Sequence, residues 1–408
     1  MAPKVSVVMS VYNGASYLPA AVESILGQTF SDFEFIIVDD GSTDQTSKIL
    51  QSFRDERIVL LKNNRNLGLT KSLNRGLERA RGEYIARLDA DDISLPERLA
   101  RQVQYLDAHP ELGLVASAVV YIDPDGNELG VQRIRTRDFY SALLDVDFVW
   151  EHSATMFRTA CVQAVGPYRD EFKYMQDVDL WLRIGEKSGL MVLGEPLIKL
   201  RLHPESIGAT VRVCQREYGL LAVRLAKQRK LGGEECPGTL LSGLNDIGRL
   251  MAEPEAIGWA LLRTACLYCL LGDMSKTKRT LAEAVQAYPA LLQDSERVVG
   301  YIVYFGFDHA AMLTSREGAI RFVRNLFANL PSAAQSLVRF RSRALGQLYI
   351  LSAFESYGAG HMQLLRKEIV LGVANDLGWL RNRGIWSMFF RSLLGFAKRR
   401  KQQCQSDL

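Results

Sequence analysis

Acidic side chains crowd two places in the sequence where a strand is expected to end. Asp89, Asp91 and Asp92 follow the run Tyr84-Ile85-Ala86-Arg87-Leu88, and Asp39 and Asp40 close the run Phe33-Glu34-Phe35-Ile36-Ile37-Val38. In an open parallel α/β sheet the carboxyl ends of the strands border the ligand crevice, so these carboxylates are expected to line a pocket. So much negative charge on one edge calls for a cation, and carboxylate oxygens suit Mg2+ or Mn2+. Farther on, Gln176-Asp177-Val178-Asp179-Leu180-Trp181 offers two carboxylates at an expected helix start, and Leu200-Arg201-Leu202-His203-Pro204 offers an imidazole. A carboxylate beside a hydroxyl can act as a general base; at a helix start it can equally be a cap.

The elements that must position these groups are read from the periodicity. Strands are expected at 5–11, 33–38, 58–61 and 84–88, with amphipathic helices at 17–26, 43–53 and 70–80 between them. Strand and helix alternating at such short intervals imply right-handed crossovers and a parallel sheet. Gly14 and Gly41 fall just past strand ends, where a turn toward a ligand needs backbone freedom. A new helix is expected from Ile93, with Pro96 in its first turn and Asp92 as its cap. Asp179 is assigned the cap of the helix carrying Leu180, Trp181 and Ile184, which leaves Asp177 for chemistry.

Charge divides the chain. Residues 1–210 hold 23 Lys and Arg against 30 Asp and Glu, whereas residues 211–408 hold 27 against 16, so an acidic α/β half is followed by a basic, helically patterned half. The boundary is placed near Thr210. With 408 residues and 48% apolar content the chain can build more than one core. Neither an apolar run long enough to span a bilayer nor a secretory leader is apparent, so the expected location is cytoplasmic. Six scattered cysteines form neither a disulfide framework nor a zinc array, and the pair Cys266 and Cys269 reads as buried filler in a helix. A nicotinamide enzyme would want GxGxxG after the first strand, where the chain has Tyr12-Asn13-Gly14-Ala15-Ser16; a nucleotidyltransferase would want a basic glycine-rich loop there. Dispersed positive charge without a recognisable module argues against a nucleic-acid partner.

The segments SVVMSVYN (6–13), VESILGQTFSDFEFIIVDDGSTDQT (22–46), NLGLTKSLNRGLERARGEYIARLDADD (66–92) and QDVDLWLR (176–183) resemble, in order, the motifs of the inverting family 2 glycosyltransferases of GT-A fold. Two positions depart from the pattern: Ser10 stands where a proline is common, and Gln176 where a glutamate often precedes the catalytic aspartate. The resemblance implies a nucleoside-diphosphate sugar, UDP-linked, as donor, with Tyr12 against the base, Asp40 accepting from a base N–H, and Ser10 and Ala90 bordering the donor. It further implies Asp89 at the ribose or sugar, Asp91 on a divalent metal, Asp177 as the base, and His203 at the metal or phosphate with Arg201 as electrostatic support. Lys71 could neutralise phosphate or be an exposed helical lysine. His152, in an acceptor-side segment before an expected buried strand at 154–158, has an open role. The acceptor would be a hydroxyl of a glycan or lipid-linked molecule in surface polysaccharide synthesis. A glycosyltransferase-like scaffold that binds protein partners through the helical half is the competing reading, and the retained carboxylates count against it.

In the second half, 259–289 resembles a tetratricopeptide helix pair ending in Pro289, and 349–377 repeats the layout. Two imperfect copies fall short of a self-sufficient solenoid. The tail sets Trp379, Trp386, Phe389, Phe390, Leu393, Leu394 and Phe396 before Lys398-Arg399-Arg400-Lys401. Such a tail either lies on an anionic membrane, at the inner face of the cell membrane, or docks on its own domain.

Overall fold

The computed structural model describes residues 2–132, 134, 136, 138–145, 150–203, 212–232, 237–251, 253–293, 295–306 and 316–393. It divides into two compact units, 1–256 and 257–408. The first is built on a nine-stranded sheet of order β3-β2-β1-β4-β8-β6-β9-β5, with β7 paired to β6. Its first four strands are β1 (Val5–Val11), β2 (Phe33–Asp39), β3 (Ile58–Lys62) and β4 (Tyr84–Arg87), all parallel to one another, as the spacing implies. Helices α1 (Leu18–Leu26), α2 (Thr46–Ser52) and α3 (Leu69–Arg79) connect them.

Every residue of β1, β2 and β4 is buried, which is why these strands read as near-continuous apolar runs. Along β1 the two faces alternate: Val5, Val7, Met9 and Val11 join the core that holds α1, while Val8 joins the one containing Leu73 of α3. Gly76 lets α3 settle onto the sheet, since a Cβ there would lie 2.5 Å from Val8 Cγ1.

The remaining strands make the sheet mixed. After β5 (Ile93–Ser94) and α4 (Arg98–Ala108) come β6 (Leu112–Ile122), β7 (Glu128–Val131), α5 (Phe139–Asp145), β8 (Met156–Arg158), α6 (Thr159–Val165), α7 (Gln176–Gly185) and β9 (Gly189–Arg201). β8 runs antiparallel between β4 and β6, β6 pairs parallel with β9, and β5 pairs antiparallel with β9. Two expectations are corrected here. Ile93 opens a short strand rather than a helix, because its backbone pairs with Lys199; the helix begins only at Arg98 and Asp92 does not cap it. The boundary near Thr210, itself outside the described residues, moves to Ala256: α8 (Arg212–Lys230) and α9 (Pro237–Met251) bury Tyr218, Leu221, Leu225, Ala226 and Ile247 in the core with Trp150 and Trp181.

The second unit is helical. Helices α10 (Pro254–Leu270) and α11 (Met274–Ala287) form one pair; after α12 (Ser295–Phe305) and α13 (Arg316–Ala328), α14 (Arg341–Gly358) and α15 (Met362–Asn375) form another. The pairs repeat the same joints. Gly272 and Gly360 take the left-handed turn at φ 83° and 78°, and Gly258 and Gly346 allow close approach to Tyr288 and Asp376 respectively. These positions recur at matching spacing in the two pairs. Cys266 and Cys269 are buried thiols, and burial pushes Cys269 up to about 12.

Candidate active site

Register decides which strand ends meet. Val11 pairs with Asp39 and Val8 with Arg87, so the chain leaving β1 passes between the ends of β2 and β4, with Tyr12 beside Asp40 on one flank and the 89–92 turn on the other. Asn13, rather than Gly14, adopts the left-handed conformation, at φ 51°. Its side-chain oxygen accepts from the Thr43 amide at 2.8 Å, and its amide donates to Ser42 Oγ at 3.0 Å, which ties the two loops together. Gly14 is needed for space, as a Cβ would meet Val11 Cγ2 at 2.6 Å. At φ +73°, Gly41 supplies the freedom expected of it, and any Cβ there would lie 2.5 Å from the Arg65 backbone.

Among the expected donor-site residues, Tyr12 is 47% exposed at the strand exit, which leaves its ring free to take a planar partner. Ser10 is buried beside Val38 within the sheet. The buried Asp40 carboxylate accepts from Asn63 Nδ2 at 2.6 Å and from the amides of Leu67 and Gly68 at 2.8 and 2.9 Å. Three of its roughly four acceptor positions are therefore spent on shaping the 63–68 loop, leaving one for a ligand donor. Lys71 is exposed on α3.

The Asp89–Asp92 segment is a turn, closed by the Asp92 amide on the Asp89 carbonyl at 3.3 Å, and not a continued strand with alternate residues on one side. Its carboxylates consequently diverge. Asp89 is ion-paired with Arg87 and accepts from Ser153 Oγ at 3.0 Å. Burial raises its pKa, but the charge of Arg87 and the hydrogen bonds from Ser153 and Arg87 outweigh that and hold it below the usual range. Asp91 instead faces His203, with Oδ2 2.9 Å from Nε2. Ala90 lies between them, 3.7 Å from the Cβ that Gly14 lacks. Asp92 is buried, and burial together with the charges of Asp91 and Asp89 pushes its pKa well up. Ser153 Oγ joins the two acids: it accepts from the Asp89 amide at 2.9 Å, and its hydroxyl stands in donor geometry to the carboxyls of both Asp89 and Asp92.

Arg201 is not spare charge for a phosphate. Its guanidinium donates to the carbonyls of Asp91, Asp123 and Pro124 and lies over the Tyr17 ring, 4.5 Å from its centroid, so it braces the acidic turn. His203 packs against the same ring at 5.2 Å. Asp179 does not cap α7 either: it is buried between Arg183 and Arg169, at 2.8 and 3.2 Å, and the cap position is Met175 in the left-handed region at φ 55°. Asp177, one residue into α7, accepts from the Val178 amide at 2.9 Å. Burial raises its pKa to about 6 against that hydrogen bond, with the charge of Asp89 adding to the rise. His152 is buried, bonded through Nε2 to the Tyr168 hydroxyl at 2.8 Å, and burial with the Arg87 charge takes its pKa down to about 3, so it is a neutral structural group.

The metal fit can be tested on Asp91 and His203. Two ligands on adjacent corners of an octahedron at ~2.1 Å from the ion stand roughly 3 Å apart, and the Asp91–His203 separation of 2.9 Å matches. No cluster of three or more His, Cys, Asp or Glu occurs among the described residues. Sequence reading passed over Arg87 and Ser153. Arg87 carried a signal, a cation inside an otherwise apolar buried strand that demands a nearby anion; Ser153 carried none.

A profile described as glycosyl transferase family 2 matches residues 6–163. EpsE of Bacillus subtilis, whose name marks it as a glycosyltransferase, is 36% identical over 45% of this chain and 68% of its own length. The amylovoran biosynthesis glycosyltransferase AmsE of Erwinia amylovora is 34% identical over 48% of this chain and 72% of its own. For WfaP of Escherichia coli, named as a UDP-Glc:alpha-D-GlcNAc-diphosphoundecaprenol beta-1,3-glucosyltransferase, the figures are 32%, 50% and 80%. With these matches and the expected GT-A architecture followed by a helical region, the chain belongs to glycosyl transferase family 2.

Proposed function

We infer that the protein is a metal-dependent inverting glycosyltransferase that moves a sugar from a UDP-linked donor to a hydroxyl of a glycan or lipid-linked acceptor in surface polysaccharide synthesis. The observation that carries this reading is Asp177: of the two carboxyls in the first turn of α7 it is the one not ion-paired with Arg169 and Arg183, and its pKa, raised to about 6, suits a base working near neutrality. The acceptor oxygen forms its bond to the anomeric carbon while Asp177 takes the hydroxyl proton. The bond to the diphosphate breaks on the opposite face, its electron pair staying with the phosphate oxygen, and one displacement inverts the centre. Asp91 and His203 would hold Mn2+ or Mg2+, which when bound neutralises charge on the diphosphate. Tyr12 stacks on the base, with Asp40 using its remaining acceptor position on a base N–H and Ser10 and Ala90 bordering the site. Fixed by Arg87 and Ser153, Asp89 receives ribose or sugar hydroxyls, and Lys71 offers charge to a phosphate. The UDP donor and lipid-linked acceptor are supported by the name of WfaP, and polysaccharide assembly by that of AmsE.

A panel of UDP- and GDP-sugars assayed for nucleoside-diphosphate release with Mn2+ and with EDTA tests this reading. Release should require the metal. Asp177→Asn should lose transfer while calorimetry still detects donor binding; unchanged turnover rejects the assignment.

A further inference from the structure

Between Asp376 and Asp407 the sequence holds no carboxylate side chain but seven cations, Arg381, Arg383, Arg391, Lys398, Arg399, Arg400 and Lys401. The basic run, with Leu394 and Phe396, lies outside the described residues; 377–393 is described. A turn of 3-10 helix, Leu377–Arg381, leads into α16 (Arg383–Leu393). This last helix is a fixed part of its unit: Ile385 and Met388 are buried with Ile350, Ala353, Leu365 and Ile369. Docking has nevertheless not consumed its apolar side chains. Leu377, Leu380, Phe390 and Leu393 are 68%, 50%, 56% and 53% exposed. The Trp386 indole N–H donates to the Leu380 carbonyl at 2.9 Å, which links the turn to the helix, and the Trp386 and Phe390 rings are 6.2 Å apart. Trp386, Phe390 and Leu393 stand at i, i+4 and i+7, one stripe beside the buried face, and Arg383 borders it on the outer side.

We propose that this face docks on an anionic lipid bilayer. Large apolar side chains flanked by exposed arginines, with no acid among them, match the boundary of acyl chains and headgroups, where the rings and leucines leave water while the guanidinium groups stay at phosphate level. Charge complementarity selects this occupant. Free phosphate or a polynucleotide would leave the apolar stripe in water, and a second copy would bring the same cations against these. The proposal does not depend on the transfer reaction.

The test is flotation of the full chain with vesicles of phosphatidylcholine alone and of phosphatidylcholine mixed with phosphatidylglycerol, at low and high salt. Binding is expected only to the anionic vesicles and is released by salt. Phe390→Ser with Leu393→Ser, both exposed positions, should weaken partition about tenfold or more. Each of Arg381→Gln, Arg383→Gln and Arg391→Gln should weaken it about fivefold, with circular dichroism unchanged. Failure to float on anionic vesicles, or equal flotation on neutral ones, overturns the proposal. So does binding that needs the arginines but ignores Phe390 and Leu393, the mark of a polyanion site, or light scattering that reports self-association abolished by the same two substitutions.

Discussion

Replacing Asp177 with Asn should make the enzyme inactive and the protein more stable, and the pH at which the stability appears is fixed by the carboxyl's environment. An aspartate has a pKa of 3.8 when unperturbed and here reaches about 6, chiefly through burial. The sign follows from proton binding. Between those values the unfolded chain has ionised and the native state has not, so raising pH through this window destabilises the fold, and above pH 6 the full penalty persists. At about 1.36 kcal/mol per unit the displacement is worth about 3 kcal/mol, or on the order of a hundredfold in the unfolding equilibrium. Asparagine removes the ionisation yet keeps an oxygen able to accept from the Val178 amide. The stability of the variant relative to the parent should therefore be near zero at pH 4, climb to pH 6 and stay level beyond it. Hydrogen exchange of the slowest amides in the first unit measures this, because the variant-to-parent ratio at each pH cancels the intrinsic chemistry. Transfer should fall by about 10²–10⁴, and in the parent kcat/KM should drop about tenfold per pH unit below 6. A stability ratio flat from pH 4 to 8 would refute the burial argument, and undiminished transfer would refute the role.

Other substitutions separate the parts of the site. Asp91→Asn should abolish metal-stimulated nucleoside-diphosphate release and weaken Mn2+ binding, read by paramagnetic broadening, while leaving the melting temperature within a few degrees, since its carboxylate is partly exposed. Ser153→Ala removes the hydroxyl shared by Asp89 and Asp92 and strands buried acceptors. It should destabilise the first unit by about 1–3 kcal/mol in denaturant titration and raise donor KM more than it lowers kcat. Gly41→Ala forces a Cβ onto the Arg65 backbone at positive φ and should cost more than about 1–3 kcal/mol, with donor binding lost before folding is.

Much of this protein could be read from residues alone because the information was local. Fully buried parallel strands announce themselves as apolar runs, their ends are marked by acid and glycine, and four ordered motifs point to Tyr12, Asp40, Asp89, Asp91 and Asp177 as candidate site members, with His203 proposed from the segment that follows. Strands β6 and β9 carried no such mark, since they gain their identity from pairing across long stretches of chain.

Tertiary structure alone decided what each acid does. Asp89 and Asp91 look equivalent in sequence, but one turn aims the first at Arg87 and the second at His203. Asp92 and Asp179 looked like caps and became, respectively, a buried acid with its pKa well raised and an ion-pair partner. The reason is that charge state depends on what surrounds a group in three dimensions, on burial and on charges contributed from distant segments, and these exist only once the chain has folded.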